Sequence, residues 1–262
     1  MLGAIAGDII GSPYEYRNIK SEDFPLFHSK LSRFTDDTVL TCATADAILT
    51  HTPYADKYLE YYRLYPVCGF GSNFKTWGIR GDKKPYNSFG NGSAMRVGPV
   101  AYAYDTLEDV LAEAKRSAKV THNHPEGVKG AQSTAIAIFL ARKGYNKPDI
   151  KKYIEDNYAY NLDFDLEQLK REYTYDISCQ GSVPQAIFCF LVSKNYEDAI
   201  RKAISIGGDS DTIACITGSI AEAFYKNIPD HIKGEVIKRL DNRLSDIVRV
   251  FMEKIFTCRE RI

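Results

Sequence analysis

Two short acidic segments place the strongest constraint on how this chain can fold. Phe34-Thr35-Asp36-Asp37-Thr38 and Gly207-Gly208-Asp209-Ser210-Asp211-Thr212 set four carboxylates and flanking threonines in near-matching contexts, far apart in a chain of 262 residues. Each runs into an apolar, helix-like stretch, Val39-Leu40-Thr41 and Ile213-Ala214-Cys215-Ile216, so each set of acids sits at a predicted helix N-terminus. Thr, Asp and Ser are favoured N-caps and acids in a first turn complement the helix dipole, so either segment alone reads as a cap. A cap needs only one oxygen, however. Asp36 beside Asp37, and Asp209 two residues before Asp211, crowd like charges unfavourably unless a cation neutralises them. Taken together the segments read as two halves of one dinuclear metal site, which requires both regions of the chain to converge on a common cleft.

The donor set narrows the ion. Oxygen ligands without Cys or His suit Mg²⁺ or Mn²⁺ better than zinc. A calcium EF-hand does not fit, because the fifth loop position after Asp209 would be Ile213 and the turning sixth would be Ala214. No P-loop and no nucleotide-type Gly-x-Gly-x-x-Gly precedes a predicted helix.

Periodicity is helical almost throughout. Leu107, Val110, Leu111, Ala114 and Ala118 mark one amphipathic helix, and Ala131, Ala135, Ile138 and Phe139 another. Ile232, Val236, Leu240, Leu244, Ile247, Phe251 and Ile255 predict one long C-terminal helix opened by Pro229 and Asp230. Further helices are expected near 38–50, 54–65, 92–103, 149–157, 183–193, 196–205 and 212–226. Sustained period-two alternation is absent. The expectation is therefore an all-α fold, a compact orthogonal bundle of many helices forming a single domain over 1–262. The first helix carries Gly3, Gly7 and Gly11 along one face, which lets another backbone approach closely. It is predicted to end near Gly11, leaving Glu15 on the following connection, where its carboxylate can face a cleft and orient or deprotonate a water. A solvated turn residue is the alternative for Glu15.

The bulk properties bound the partners. With 34 basic and 34 acidic residues the formal charge is zero, so nothing global favours nucleic acid. The six cysteines, at 42, 68, 179, 189, 215 and 258, have no Cys-x-x-Cys spacing and read as reduced core thiols of a cytoplasmic protein. The N-terminal run has no basic start and is interrupted by Asp8, so it predicts neither a signal peptide nor a membrane span.

Two further segments can carry chemistry. Ser88-Phe89-Gly90-Asn91-Gly92-Ser93-Ala94-Met95-Arg96 takes a glycine-rich loop into a helix start, where exposed N–H groups suit a phosphate or diphosphate, and Phe89 offers a ring to a base; an ordinary Asn-Gly turn is the alternative. In Thr121-His122-Asn123-His124-Pro125, His122 is assigned a substrate contact rather than a metal bond. Trp77 reads as core.

These segments match, in order, the motifs of a known family: Gly7-Asp8-x-x-Gly11-Ser12-x-x-Glu15, Thr35-Asp36-Asp37-Thr38, Gly90 to Arg96, Thr121-His122, Gly181-Ser182-Val183-Pro184 and Gly207 to Thr212. The chain resembles the ADP-ribosylglycohydrolases, the family of the dinitrogenase-reductase-activating glycohydrolase, from residue 3 to about 225. The resemblance implies an all-α fold and two Mg²⁺ or Mn²⁺ ions held by Thr35, Asp36, Asp37, Asp209, Asp211 and Thr212. It implies an ADP-ribose cleft in which Ser88, Phe89, Gly90, Asn91, Gly92, Ser93 and Met95 line the diphosphate and adenosine side, Phe89 stacks on adenine and His122 reaches the ribose or phosphate. Glu15 matches the catalytic glutamate of the serine-directed branch. The arginine-directed branch has Asp where this chain has Ser88, and the Ser88-Phe89 pair is closer to the serine- and poly(ADP-ribose)-directed branch. The expected activity is hydrolysis of an α-linked ADP-ribosyl bond, O- or N-glycosidic, in a modified protein or small molecule. The alternatives are a hydrolase of a related nucleoside-type metabolite, a non-catalytic ADP-ribose-binding module, and a structural protein recruited from this fold.

Overall fold

The computed structural model describes the backbone of residues 1–259 and the side chains through residue 255. Among the described residues there is no strand, only an isolated antiparallel bridge between Gly90 and Ser178. In chain order the helices are α1 (Leu2–Gly11), a single 3-10 turn (Ser12–Tyr14), α2 (Asp36–Thr50), α3 (Tyr54–Leu64), α4 (Ser72–Arg80), α5 (Gly92–Met95), α6 (Gly98–Ala103), α7 (Leu107–Lys119), α8 (Pro125–Arg142), α9 (Lys147–Tyr158), α10 (Leu166–Glu172), α11 (Cys179–Leu191), α12 (Tyr196–Ser205), α13 (Ser210–Tyr225), α14 (Asp230–Ile237) and α15 (Asn242–Arg259). The all-α expectation holds.

The centre is α13, packed by α1, α8, α11 and α12. It is buried continuously from Ser210 to Ala221, and α1 is buried from Gly3 to Gly11. Helices apolar on every face belong in an interior. The glycine stripe of α1 determines how closely they meet. A Cβ built on Gly7 would lie 2.1 Å from the Ala214 carbonyl oxygen, one on Gly3 2.4 Å from that of Gly218, and one on Gly11 2.5 Å from the Asp211 Cα. Backbone therefore rests on backbone, and Asp8 is brought beside Asp211. Gly7→Val is expected to destabilise the protein by about 3 kcal/mol or more, since overpacking against a main chain cannot be relieved by a rotamer change; a chemical-denaturation midpoint within error of wild type would disprove the close contact.

Three helix boundaries differ from the sequence expectation, each for a local reason. The helix expected over 92–103 is two, because Pro99 sits in the first turn of α6 and has no N–H to give Met95. The Met95 carbonyl instead accepts from Thr41 Oγ1 and Cys215 Sγ, both at 3.4 Å. The long C-terminal helix is also two. Asp241 starts α15 afresh by accepting from the Leu244 N–H at 2.9 Å, an N-cap that the uninterrupted apolar spacing concealed. α11 begins at Cys179 rather than 183, with Ser178 as N-cap accepting from Gly181 N–H, so Pro184 lies inside the helix; the Gln180 residue whose carbonyl it leaves free is exposed.

Cys42, Cys179, Cys189 and Cys215 are buried free thiols and Cys68 is half-buried, as expected of core cysteines; the Cys258 side chain lies outside the described residues. Trp77 is buried in α4, a helix not anticipated from the sequence. Among the described residues no helix is long and apolar enough to cross a membrane.

Candidate active site

The first acidic segment is held in place by an acid of α1. Asp8, fully buried, accepts from the Thr35 N–H at 2.9 Å and the Thr38 N–H at 3.1 Å through one oxygen, and from the Thr35 hydroxyl at 2.7 Å through the other. The Thr38 hydroxyl donates to it as well. It thus caps α2 from outside, while Thr35 Oγ1 accepts from the Asp37 N–H. Thr35 is thus the cap of α2, and the carboxylates of Asp36 and Asp37 are not spent on capping it.

The second segment depends on Gly207 and Gly208, whose φ angles of 74° and 76° are the left-handed conformation that glycine adopts without a Cβ clash. Asn18 holds this turn: its Oδ1 accepts from the Gly208 N–H at 2.8 Å, and its Nδ2 donates to the Gly208 carbonyl at 2.9 Å and the Tyr14 carbonyl at 2.8 Å. One amide side chain therefore ties the turn before Asp209 to the connection carrying Glu15. Asn91 reaches across from the glycine loop and donates to Asp209 Oδ2 at 2.6 Å.

The segments converge. Thr212 Oγ1 donates to Asp37 Oδ2 at 3.2 Å, across 175 positions of chain. One oxygen from each of Asp8, Asp37 and Asp211 lies within 4.8 Å of the others, and the same is true of Glu15, Asp209 and Asp211. The two groups share Asp211. Burial pushes Asp8 and Asp209 up to about 6. It pushes Asp36 up to about 8, with Asp8, Asp209 and Glu15 adding repulsion. Asp37 and Asp211 are raised well above the usual carboxylate range, again first by burial and then by neighbouring carboxylates. Like charges held this closely away from water cannot all ionise without a counter-charge.

Glu15, Asp36, Asp37, Asp209 and Asp211 line one cleft of about 260 Å³, whose walls also carry Tyr16, Tyr86, Ser88, Gly90, Asn91, Gly92, Met95, Arg96, His122, Tyr175 and Ile177. That volume is close to the lower bound of small-molecule sites. His122 is buried, its Nδ1 2.7 Å from Thr121 Oγ1, and burial with the nearby Arg96 cation holds its basicity well below the usual histidine range. It is therefore a neutral hydrogen-bonding group at physiological pH.

Two expected binding residues point elsewhere. Ser93 is fully buried and donates to the Gly127 carbonyl at 2.7 Å. Phe89 lies outside the cleft wall, half exposed, its ring 5.4 Å from that of His124. The loop also offers fewer free N–H groups than its composition suggests. Gly90 N–H donates to Ser88 Oγ and Asn91 N–H to the Ile177 carbonyl, and the helix behind them is only the four residues of α5.

Asp8, Asn18, Tyr16, Tyr175 and Arg96 are site or support residues that spacing alone did not single out. For Asp8 a signal existed: an acid in an otherwise apolar helix must find partners when buried. Arg96 is fully buried, with its guanidinium 4.4 Å from the Tyr58 ring centroid and donating to Thr121 Oγ1 at 2.8 Å.

Paired carboxylates from two distant helix starts, a glycine loop and a buried neutral histidine thus converge on one cleft. The chain belongs to the ADP-ribosylglycohydrolase family, matching it over residues 1–259. It is 26% identical to the ADP-ribosylhydrolase ARH3 of Mus musculus, over 97% of this chain and 91% of that protein, and 27% identical to its counterpart in Danio rerio, over 86% and 81%. A solved structure described as an ADP-ribosylglycohydrolase-related protein complex matches the fold with a TM-score of 0.72 at 24% identity, covering 95% of this chain and 94% of that one.

Proposed function

We propose that the cleft binds an ADP-ribosyl group and, with two Mg²⁺ or Mn²⁺ ions, hydrolyses the α-linked bond at C1″ to release ADP-ribose. The observation that carries this reading is Asp37 Oδ1, a buried carboxylate oxygen without a hydrogen-bond partner, in a cluster where four other acids are also raised in pKa. An orphaned, crowded, oxygen-only donor set fits hard divalent cations. Thr35, Asp36, Asp37, Asp209, Asp211 and Thr212 would hold them. When bound, such ions supply positive charge and orientation for the distal ribose hydroxyls and for water.

The protein side of the reaction follows from the geometry. Asn91 fixes the Asp209 carboxylate, and Asp8 fixes the start of α2, so the ligand oxygens are set before substrate arrives. That preorganisation removes a reorganisation penalty from the chemical step. Glu15, within 4.8 Å of an oxygen of Asp209 and Asp211 and half-buried, is placed to orient the attacking water and accept its proton. The Ser88 hydroxyl and His122 both line the cleft and serve the diphosphate and ribose.

Incubation with Mg²⁺ or Mn²⁺ and peptides carrying ADP-ribose on serine or arginine is expected to release free ADP-ribose, and chelation to stop it. Absence of release from both, with metal binding confirmed by calorimetry, would falsify the assignment. Binding of ADP-ribose without turnover of any substrate would favour a binding module instead.

A further inference from the structure

Arg96 is a cation that the protein buries without a carboxylate partner. Among the described residues its guanidinium makes two hydrogen bonds, both from Nη2: to the Ser117 carbonyl at 3.4 Å and to Thr121 Oγ1 at 2.8 Å. Nε and Nη1 are buried and have none, and the face of the group rests on the Tyr58 ring. Taking a charge out of water is costly unless it is paired. A cation kept in this way, on the wall of the cleft, calls for a use that packing does not supply.

Its one short hydrogen bond leads to His122. A guanidinium can only donate, and a threonine hydroxyl carries a single hydrogen. Thr121 Oγ1, which accepts from Arg96, lies 2.7 Å from His122 Nδ1. That spacing is usual for a hydroxyl donor and short for a ring N–H, whose bonds to oxygen centre on about 2.9–3.0 Å. Tyr86 beside the pair offers the Thr121 hydroxyl a competing acceptor, but turning there would leave two N–H donors converging on one oxygen next to an unpaired cation. The threonine proton therefore points to Nδ1, and the ring proton is on Nε2. Nε2 faces the glycine loop, 3.2 Å from a Cβ built on Gly92 and 3.7 Å from one on Gly90. Among the described residues the ring's only hydrogen bond is the one at Nδ1.

We propose that Arg96 is a positioning residue which, through Thr121, fixes His122 as a permanent hydrogen-bond donor from Nε2 to a phosphate oxygen of the bound ADP-ribosyl group. This inference rests on the hydrolase function proposed above. An anion beside a neutral imidazole ordinarily draws a proton onto the ring. Here burial and the Arg96 charge oppose that, and the Thr121 proton already occupies Nδ1. The positive charge on this wall thus belongs to a group that does not lose its proton, and the donor keeps one direction before and after the ligand arrives. Arg96 touches no substrate in this arrangement; it acts on the tautomer of a residue that does.

Long-range ¹⁵N–¹H NMR of protein labelled at histidine reads which ring nitrogen carries the proton, with His122→Gln identifying the signal among the five histidines. Wild type is expected to show the Nε2–H tautomer alone. Thr121→Val keeps the shape and removes the oxygen, so its two tautomers should mix; Thr121→Ser restores the hydroxyl and should restore the single tautomer. Arg96→Met should mix them too, because the Thr121 hydroxyl is then free to turn to Tyr86. Should that variant fail to fold, the wild-type spectrum and the two Thr121 variants still decide the question. Calorimetric titration with ADP-ribose is expected to follow the spectra: about tenfold weaker binding for Thr121→Val, one hydrogen bond to a charged acceptor, and within about threefold of wild type for Thr121→Ser. A purely structural role would lower stability without moving the tautomer. A proton on Nδ1 in wild type overturns the relay, as does a Thr121→Val that keeps wild-type spectrum and affinity or a Thr121→Ser that loses as much as Thr121→Val. A wild type with the proton on Nε2 and no affinity for ADP-ribose upholds the tautomer and overturns both its ligand and the hydrolase function.

Discussion

Asp37→Ala is expected to lower ADP-ribose release by at least about 10³-fold while leaving the helical circular dichroism of the protein intact. The size follows from what the side chain does. It stands close to Asp8 and Asp211, accepts from Thr212 across the cleft, and holds an oxygen without a hydrogen-bond partner. Removing a ligand of a catalytic metal takes away both the charge that stabilises the transition state and the orientation of the reacting groups. The same substitution relieves repulsion in the metal-free protein, because Asp37 sits among carboxylates that raise its pKa. The variant should therefore be as stable as wild type without metal, or more so, and less responsive to Mg²⁺. This pairing of lost function with gained stability is expected where a site stores unfavourable electrostatics. Asp211→Ala should behave alike, and unchanged turnover in either variant would break the metal argument at its first step.

That opposition between stability and function also explains which parts of the molecule could be seen in the sequence. The converging acidic segments were legible because excess charge at a helix start has no structural use, and Glu15 because a loop follows the glycine stripe of α1. The stripe itself foretold a close backbone contact, and the structure supplies its partner, α13. Asn18 was illegible as a site residue because it satisfies backbone groups of a segment 190 positions away, a property of the tertiary arrangement that no local spacing records; Asp8 stood out as an acid in an apolar helix, but its partners at the start of α2 did not. Boundaries failed for a different reason. Asp241 starts a helix within an apolar periodicity that runs on past it, and Ser178 starts one four residues ahead of the expected apolar run, so the capping oxygen, not the period, decided where each helix began. Ser93 looked like part of an anion loop, but the turn at Asn91 directs its hydroxyl into the core toward Gly127.

The buried acids also make the metal-free protein sensitive to pH in a direction opposite to ordinary acid denaturation. An aspartate in the unfolded chain titrates near 3.8, whereas in the folded protein Asp8 and Asp209 are raised to about 6 and Asp36 to about 8. Between those limits the folded state binds more protons than the unfolded state, so stability falls as pH rises. The contribution is fully present below about pH 4, declines through pH 6 as Asp8 and Asp209 ionise, and is lost above pH 8 once Asp36 has followed. Ion pairs elsewhere act the other way: exposed ones such as Lys152–Asp156 and Arg249–Asp246 are individually weak, while the more buried Lys57–Asp46 and Glu22–Lys170 pairs offset part of the effect. The melting temperature without metal is therefore expected to drop between pH 5 and pH 8 by about 10 °C, corresponding to a few kcal/mol for a chain of this size. Saturating Mg²⁺ should remove most of that drop, because cations that bind only the folded cluster neutralise the charge that ionisation creates and add their own binding free energy. In Asp36→Asn the metal-free slope should be shallower above pH 6. Thermal melts at several pH values, with and without Mg²⁺, measure all three effects in one series; a metal-free melting temperature that holds level or rises across that interval contradicts the electrostatic account of the cluster, whatever the activity assays show.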